Sequence, residues 1–103
     1  MSSVYKLEIS DADGAKVFKF AGDLVINHID KMVEEVKSAL ASPSDVNVVV
    51  DNPDNIDMTF LQLVASIRRS CSDAGKKFQI SSTLKDDLRD LVKKAGLTAD
   101  LNL

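Results

Sequence analysis

Thr59 is the residue in this chain whose type and position could carry chemistry, because it stands where a helix begins after a turn. Asn52-Pro53-Asp54-Asn55 breaks the chain ahead of it, since proline lacks the amide donor and Asn/Asp side chains bond their own backbone. Asp57 then supplies a carboxylate that can accept from the free amides of a first helical turn and that suits the positive end of the dipole. A hydroxyl in that turn is a place where the same amides would stabilise a phosphate ester. Spacings of three and four extend a polar line from it through Thr59, Gln62, Ser66, Arg69, Ser70 and Asp73. Most such lines are merely solvated. A phosphorylatable hydroxyl at its head is what makes this one a candidate surface for a partner.

Other chemistries find less support. There is one histidine, His28, with no second histidine or cysteine at ligand spacing, so it reads as a surface residue of the first helix and no serine or cysteine triad can be assembled. No glycine-rich phosphate loop is present. Asp51, Asp54 and Asp57 lack the glycine and distal glutamate of a calcium loop, and turn formation with helix capping accounts for them. A receiver-like reading would phosphorylate Asp51 and hold magnesium on Asp11 and Asp13. A hairpin between the first two strands would put those acids at the opposite end of the sheet, and the lysine of a fifth strand is missing. The charges of the third helix, Lys85, Asp86, Asp87, Arg89, Asp90, Lys93 and Lys94, form a solvated face with i,i+4 pairs. The chain is therefore expected not to be an enzyme and to need no cofactor or metal.

Composition sets the outer bounds. The 103 residues fit one domain, 1–103, large enough for a core without metal or disulfide support. A net charge of -3 argues against a nucleic-acid backbone as partner. The single cysteine, Cys71, excludes an internal disulfide and falls on an apolar helix face, as a small packed hydrophobe would. No apolar run approaches a membrane span and no basic-then-apolar leader is visible, so direct membrane insertion is not expected and a cytoplasmic address is.

The elements that must position Thr59 follow from periodicity. Tyr5, Leu7 and Ile9 alternate with polar residues as a strand with one wet face, Asp11-Ala12-Asp13-Gly14 turns the chain, and Val17 to Ala21 returns as the second arm of a hairpin with Phe18 and Phe20 on one face. Gly22-Asp23-Leu24 ends that strand. From Ile26 the spacing is helical, with Asn27 as cap, Asp30 completing an approximate capping box, and Ile29, Val33, Val36 and Leu40 inward, widened by Met32. Val46, Val48, Val49 and Val50 read as a central strand buried on both faces. The helix from Asp57 turns Phe60, Leu61, Val64, Ile67 and Cys71 inward and closes at Gly75. Phe78 and Ile80 mark another strand, and Ser82 or Thr83 caps a third helix with Leu84, Leu88, Leu91 or Val92, and Ala95 along its apolar line, ending at Gly96 with Leu97 folded back on Val92. The tail to Leu103 alternates, as an edge strand or a fraying terminus would. The class is α/β, a mixed sheet of about four to five strands in the order β-β-α-β-α-β-α-(β), with the helices on one face.

This order, together with Phe20-Ala21-Gly22-Asp23-Leu24, the strand Val46 to Asp51, Asp57-Met58-Thr59-Phe60-Leu61, Ala74-Gly75-Lys76-Lys77 and Lys94-Ala95-Gly96-Leu97, resembles the STAS domain of bacterial anti-sigma-factor antagonists over nearly the whole length. No single landmark is specific; their order and spacing are. The resemblance implies a non-enzymatic signalling domain that binds a serine/threonine kinase anti-sigma factor, or a related histidine-kinase-like protein, and lets go when a hydroxyl is phosphorylated. The family segment usually reads Asp-Ser-Ser/Thr-Gly-Leu with the third residue modified, which falls on Thr59, and the resemblance makes Asp57 the residue that orients that hydroxyl. The partner-binding surface it implies comprises Gly22, Asp23, Leu24, Asp57, Met58, Thr59, Gln62, Ser66 and Arg69. Three departures stand out. Met58 replaces the first serine, Phe60 replaces glycine and is expected to obstruct a kinase, and Gly22-Asp23-Leu24-Val25 lacks the second acid of the usual Gly-Glu-Leu-Asp. A constitutive adaptor or scaffold in a chemotaxis or lipid-transport complex is the alternative, and a small-ligand-binding domain a further one.

Overall fold

The computed structural model describes residues 5–25 and 29–94. The expected cap at Asn27, the position of His28, the Gly96-Leu97 helix end and the tail strand fall outside the described residues. Strand β1 (Tyr5–Ala12) and β2 (Ala15–Leu24) form the expected antiparallel hairpin, with Tyr5 opposite Gly22 and Ala12 opposite Ala15. Asp13 and Gly14 join them with φ of 52° and 80°, the two positive dihedrals of a type I′ turn whose twist matches the strands.

Helix α1 (Ile29–Leu40) crosses over to β3 (Asp45–Asp51), which lies parallel to β2 with Phe18 beside Val48. A two-residue strand β4 (Asn55–Ile56) precedes helix α2 (Met58–Asp73), and β5 (Phe78–Thr83) lies parallel to β3 before helix α3 (Asp86–Lys94). The main sheet runs β1-β2-β3-β5, with β4 on β2, so one antiparallel pair sits in an otherwise parallel sheet of five strands.

Alternation along β2 and β3 sends Phe18, Phe20, Val46, Val48 and Val50 to one face, where they meet Met32, Val36, Phe60, Leu61, Val64, Ile67, Leu88 and Val92 in a single core. Burying a side chain of this size contributes about 1.5–3 kcal/mol each, which makes this layer the main source of stability. Val49 and Asn47 point the other way and are only half-buried, so β3 is covered on one face and not, as its valine run suggests, on both. The open face is polar enough to be solvated, and Lys19 Nζ lies 3.7 Å from Asp51 there.

Two further sequence expectations are revised. The pair Ser82 and Thr83 continue β5 instead of capping the third helix, because they extend the ladder opposite Val50 and Asp51, and the helix starts at Asp86. Along α3, Leu88 and Val92 are buried whereas Leu91 is exposed. At the other end of α1, Lys76 Nζ donates to the carbonyls of Leu40 and Ser42 at 2.8 and 2.6 Å, supplying a charge-assisted cap where the helix leaves acceptors open.

Candidate functional site

The start of α2 is fixed by its cap. Asp57 is extended (φ -126°, ψ 177°) and its Oδ1 accepts from the Phe60 amide at 3.1 Å, while its carbonyl accepts from the Leu61 amide at 3.3 Å. Of the first-turn donors this leaves the amides of Met58 and Thr59. Asp57→Ala should therefore cost about 1 kcal/mol, the usual value of such a cap, read as a lower urea midpoint with the slope unchanged.

What precedes α2 is tied to the end of β2. Asp54 N donates to the Gly22 carbonyl at 2.7 Å, Asp57 N to the Leu24 carbonyl at 3.2 Å, and Asn55 Nδ2 to Asp23 Oδ1 at 2.9 Å. In register, Asp23 faces Asn55 and Leu24 faces Ile56. Gly22 has φ +80°, a conformation that strains other residues. Thus Gly22-Asp23-Leu24 closes β2 as paired strand and not as a loop: its last two residues form a second, short parallel ladder, and it lies against the segment that opens α2.

Exposure divides the residues expected at the partner surface. Met58 is 48% exposed, Gln62, Ser66 and Arg69 are exposed, and Gly22, Asp57 and Thr59 are half-buried. Asp23 is buried on its bond to Asn55, and Leu24 is wholly inside the core. Leu24 can shape the surface only by holding the loop, so Leu24→Ala should cost about 2–5 kcal/mol of stability, seen by urea denaturation, in place of a selective loss of binding. Phe60, expected to stand in a kinase's way, also points inward: it is fully buried, edge-on to Phe20 with ring centroids 5.1 Å apart. The bulky residue at the glycine position leaves the approach to Thr59 clear.

The polar line of α2 is split as well. Thr59, Gln62, Ser66 and Ser70 form one wall of a groove of about 340 Å³, floored by Leu63 and Ile67 and closed on the α1 side by Ile29, Val33, Lys37 and Leu40. Arg69 and Asp73 lie on exposed helix surface outside it. The sequence carried one sign of this groove: the apolar positions of α1 make a stripe too wide for one line, and Met32 and Val36 take the core while Ile29, Val33 and Leu40 are left half-buried.

The remaining candidates separate in space. The hairpin acids Asp11 and Asp13 lie at the end of the sheet where β3 begins, since Ala15 pairs with Asp45, whereas Asp51 ends β3 about 20 Å away at strand rise. Asp11 is paired with Lys16 at 3.0 Å. Cys71 is buried and its thiol is pushed up by that burial, which opposes the thiolate a reactive cysteine needs. Among the described residues, no helix is long and apolar enough to cross a membrane.

The chain matches no family model and no curated protein. Among solved structures, its coordinates are similar to the crystal structure of an anti-sigma factor antagonist from Mycobacterium paratuberculosis, with a TM-score of 0.77 over 93% of this chain and 81% of that one at 12% identity. The shared property is the fold: the STAS-type arrangement expected from the order of elements is the one present.

Proposed function

We propose that this domain is a cytoplasmic STAS-type regulator without catalytic activity, which binds a protein partner reversibly through the start of α2 and is switched by phosphorylation of Thr59. The observation that carries this reading is the placement of Thr59: half-buried in the first turn of α2, next to exposed Met58, at the mouth of a groove and clear of Phe60. A hydroxyl so placed is reachable by a kinase, and a phosphate there would add about two negative charges to the contact surface. The class of partner best suited is a serine/threonine kinase anti-sigma factor or a related histidine-kinase-like protein, in keeping with the antagonist whose fold the chain shares.

A second reading, a constitutive adaptor, is favoured by one feature. Asp57 already occupies the Phe60 amide, so a phosphate on Thr59 would have a carboxylate beside it and fewer amides to hold it. Intact mass after coexpression with kinases of the same genome separates the two. The switch gains one phosphate that is lost in Thr59→Ala, and an unmodified protein that still holds its partner supports the adaptor.

A further inference from the structure

The groove beside Thr59 has a chemistry of its own. Its floor and α1 side are hydrocarbon from Ile29, Val33, Leu40, Leu63 and Ile67, and its α2 side presents neutral hydrogen-bonding groups at every turn. The lining residues span Ile29 to Leu40 on one helix and Thr59 to Ser70 on the other, about 16 Å or three turns at helical rise. Both helices are crossovers between parallel strands, so they run the same way along the groove.

Lys37 is the one charged residue lining this channel, and among the described residues no carboxylate pairs with it. Two acids of α1, Glu34 and Glu35, line another flank of the helix, and Glu35 accepts from the Tyr5 hydroxyl at 2.8 Å. A single lining cation in the last turn of α1, over an apolar floor, selects an occupant that is apolar on one side and acidic toward the end that meets Lys37. An acyl chain would match the floor, but in a channel open to solvent it would remain half in water and would make no use of the hydrogen-bonding wall of Gln62, Ser66 and Ser70. A helix satisfies both, since its apolar stripe fills the floor while its polar flank meets the hydroxyls.

We propose that the α1–α2 groove receives a three-turn amphipathic helix of the protein partner, with an acidic residue of that helix set against Lys37. This deepens the reading of Thr59 and rests on it only for the consequence that a phosphate at the groove mouth obstructs entry of the occupant. Binding in the groove itself does not depend on phosphorylation.

The test uses two designed helical peptides of equal length, each with leucines at i, i+3, i+4 and i+7, one flanked by glutamates and one by lysines. Amide chemical shifts of the full chain are followed during titration. The glutamate peptide should move Ile29, Val33, Lys37, Ser66 and Ser70, and bind about three- to tenfold more tightly than the lysine peptide, the range expected of a half-exposed charge pair. Lys37→Glu should reverse the preference, and Ser66→Trp should abolish binding by filling the channel. Equal affinity for the two peptides, shifts confined to the open sheet face, or no binding would overturn the proposal. So would dodecanoate producing the same shifts and competing with the peptide, which would make the groove a lipid site. Failure of the Thr59 switch shows in the mass of the coexpressed protein and leaves the charge-swap result untouched, so the two ideas fall separately.

Discussion

Phe60→Ala lowers the stability of the domain by about 3–5 kcal/mol, the largest effect expected of any single truncation at the candidate site. Phe60 is fully buried, packs edge-on against Phe20 on the central face of β2, and sits in the first turn of α2. Small domains are stable by only about 5–15 kcal/mol, so the loss is a large share of the total. Phe60→Gly, which installs the residue usual in STAS domains, is the harsher change by about 1 kcal/mol because glycine also disfavours the helix. Urea denaturation with circular dichroism reads both. A loss below about 1 kcal/mol would mean that α2 can close over the gap, and would remove the packing argument for the glycine departure. Partner binding by the folded fraction should be unchanged, since Phe60 offers no surface.

Thr59→Glu produces the second large effect, on binding instead of folding. A carboxylate at this place adds charge to the head of the polar line without entering the core, so the urea midpoint should move by no more than about 0.5 kcal/mol in free-energy terms. The favourable dipole of α2 and the repulsion from Asp57 act in opposite directions there. Affinity for the partner should fall about tenfold or more, because like charges set against each other across an interface cost several kcal/mol. Calorimetric titration with the partner checks it. Unchanged affinity with an intact fold would discard the switch, whereas a collapse in stability would show that Thr59 is packed more tightly than its half-exposed position indicates.

The site was readable from the residues to different depths. Asp57 as cap and Thr59 in the first turn follow from local rules: a carboxylate, a preceding turn and a helical apolar spacing act within a few residues and need no partner elsewhere. The pattern Gly22-Asp23-Leu24 suggests an exposed loop closing a strand, which puts Leu24 on the surface. The chain instead pairs there with Asn55 and Ile56, more than thirty positions away, and that ladder turns Leu24 inward. The motif position of Phe60 suggests an obstacle, whereas its helical spacing with Leu61, Val64 and Ile67 marks it as core. The valines of β3 suggested two buried faces, but only one side of the sheet receives helices.

The sequence by itself determined the class of the domain, the order of its elements apart from β4, a hairpin turning within Asp11–Gly14 and the hydroxyl at the head of α2. Each of these depends on the period of apolar residues or on turn and cap chemistry, which are properties of neighbouring residues. Only the tertiary structure decided which of those residues meet water. The rotation of α1 about its axis sends Met32 and Val36 to the core and leaves Ile29, Val33 and Lys37 facing α2 across a groove. That rotation is set by how two helices and a sheet fill space together, and a pattern along one chain segment contains no term for the volume of its neighbour.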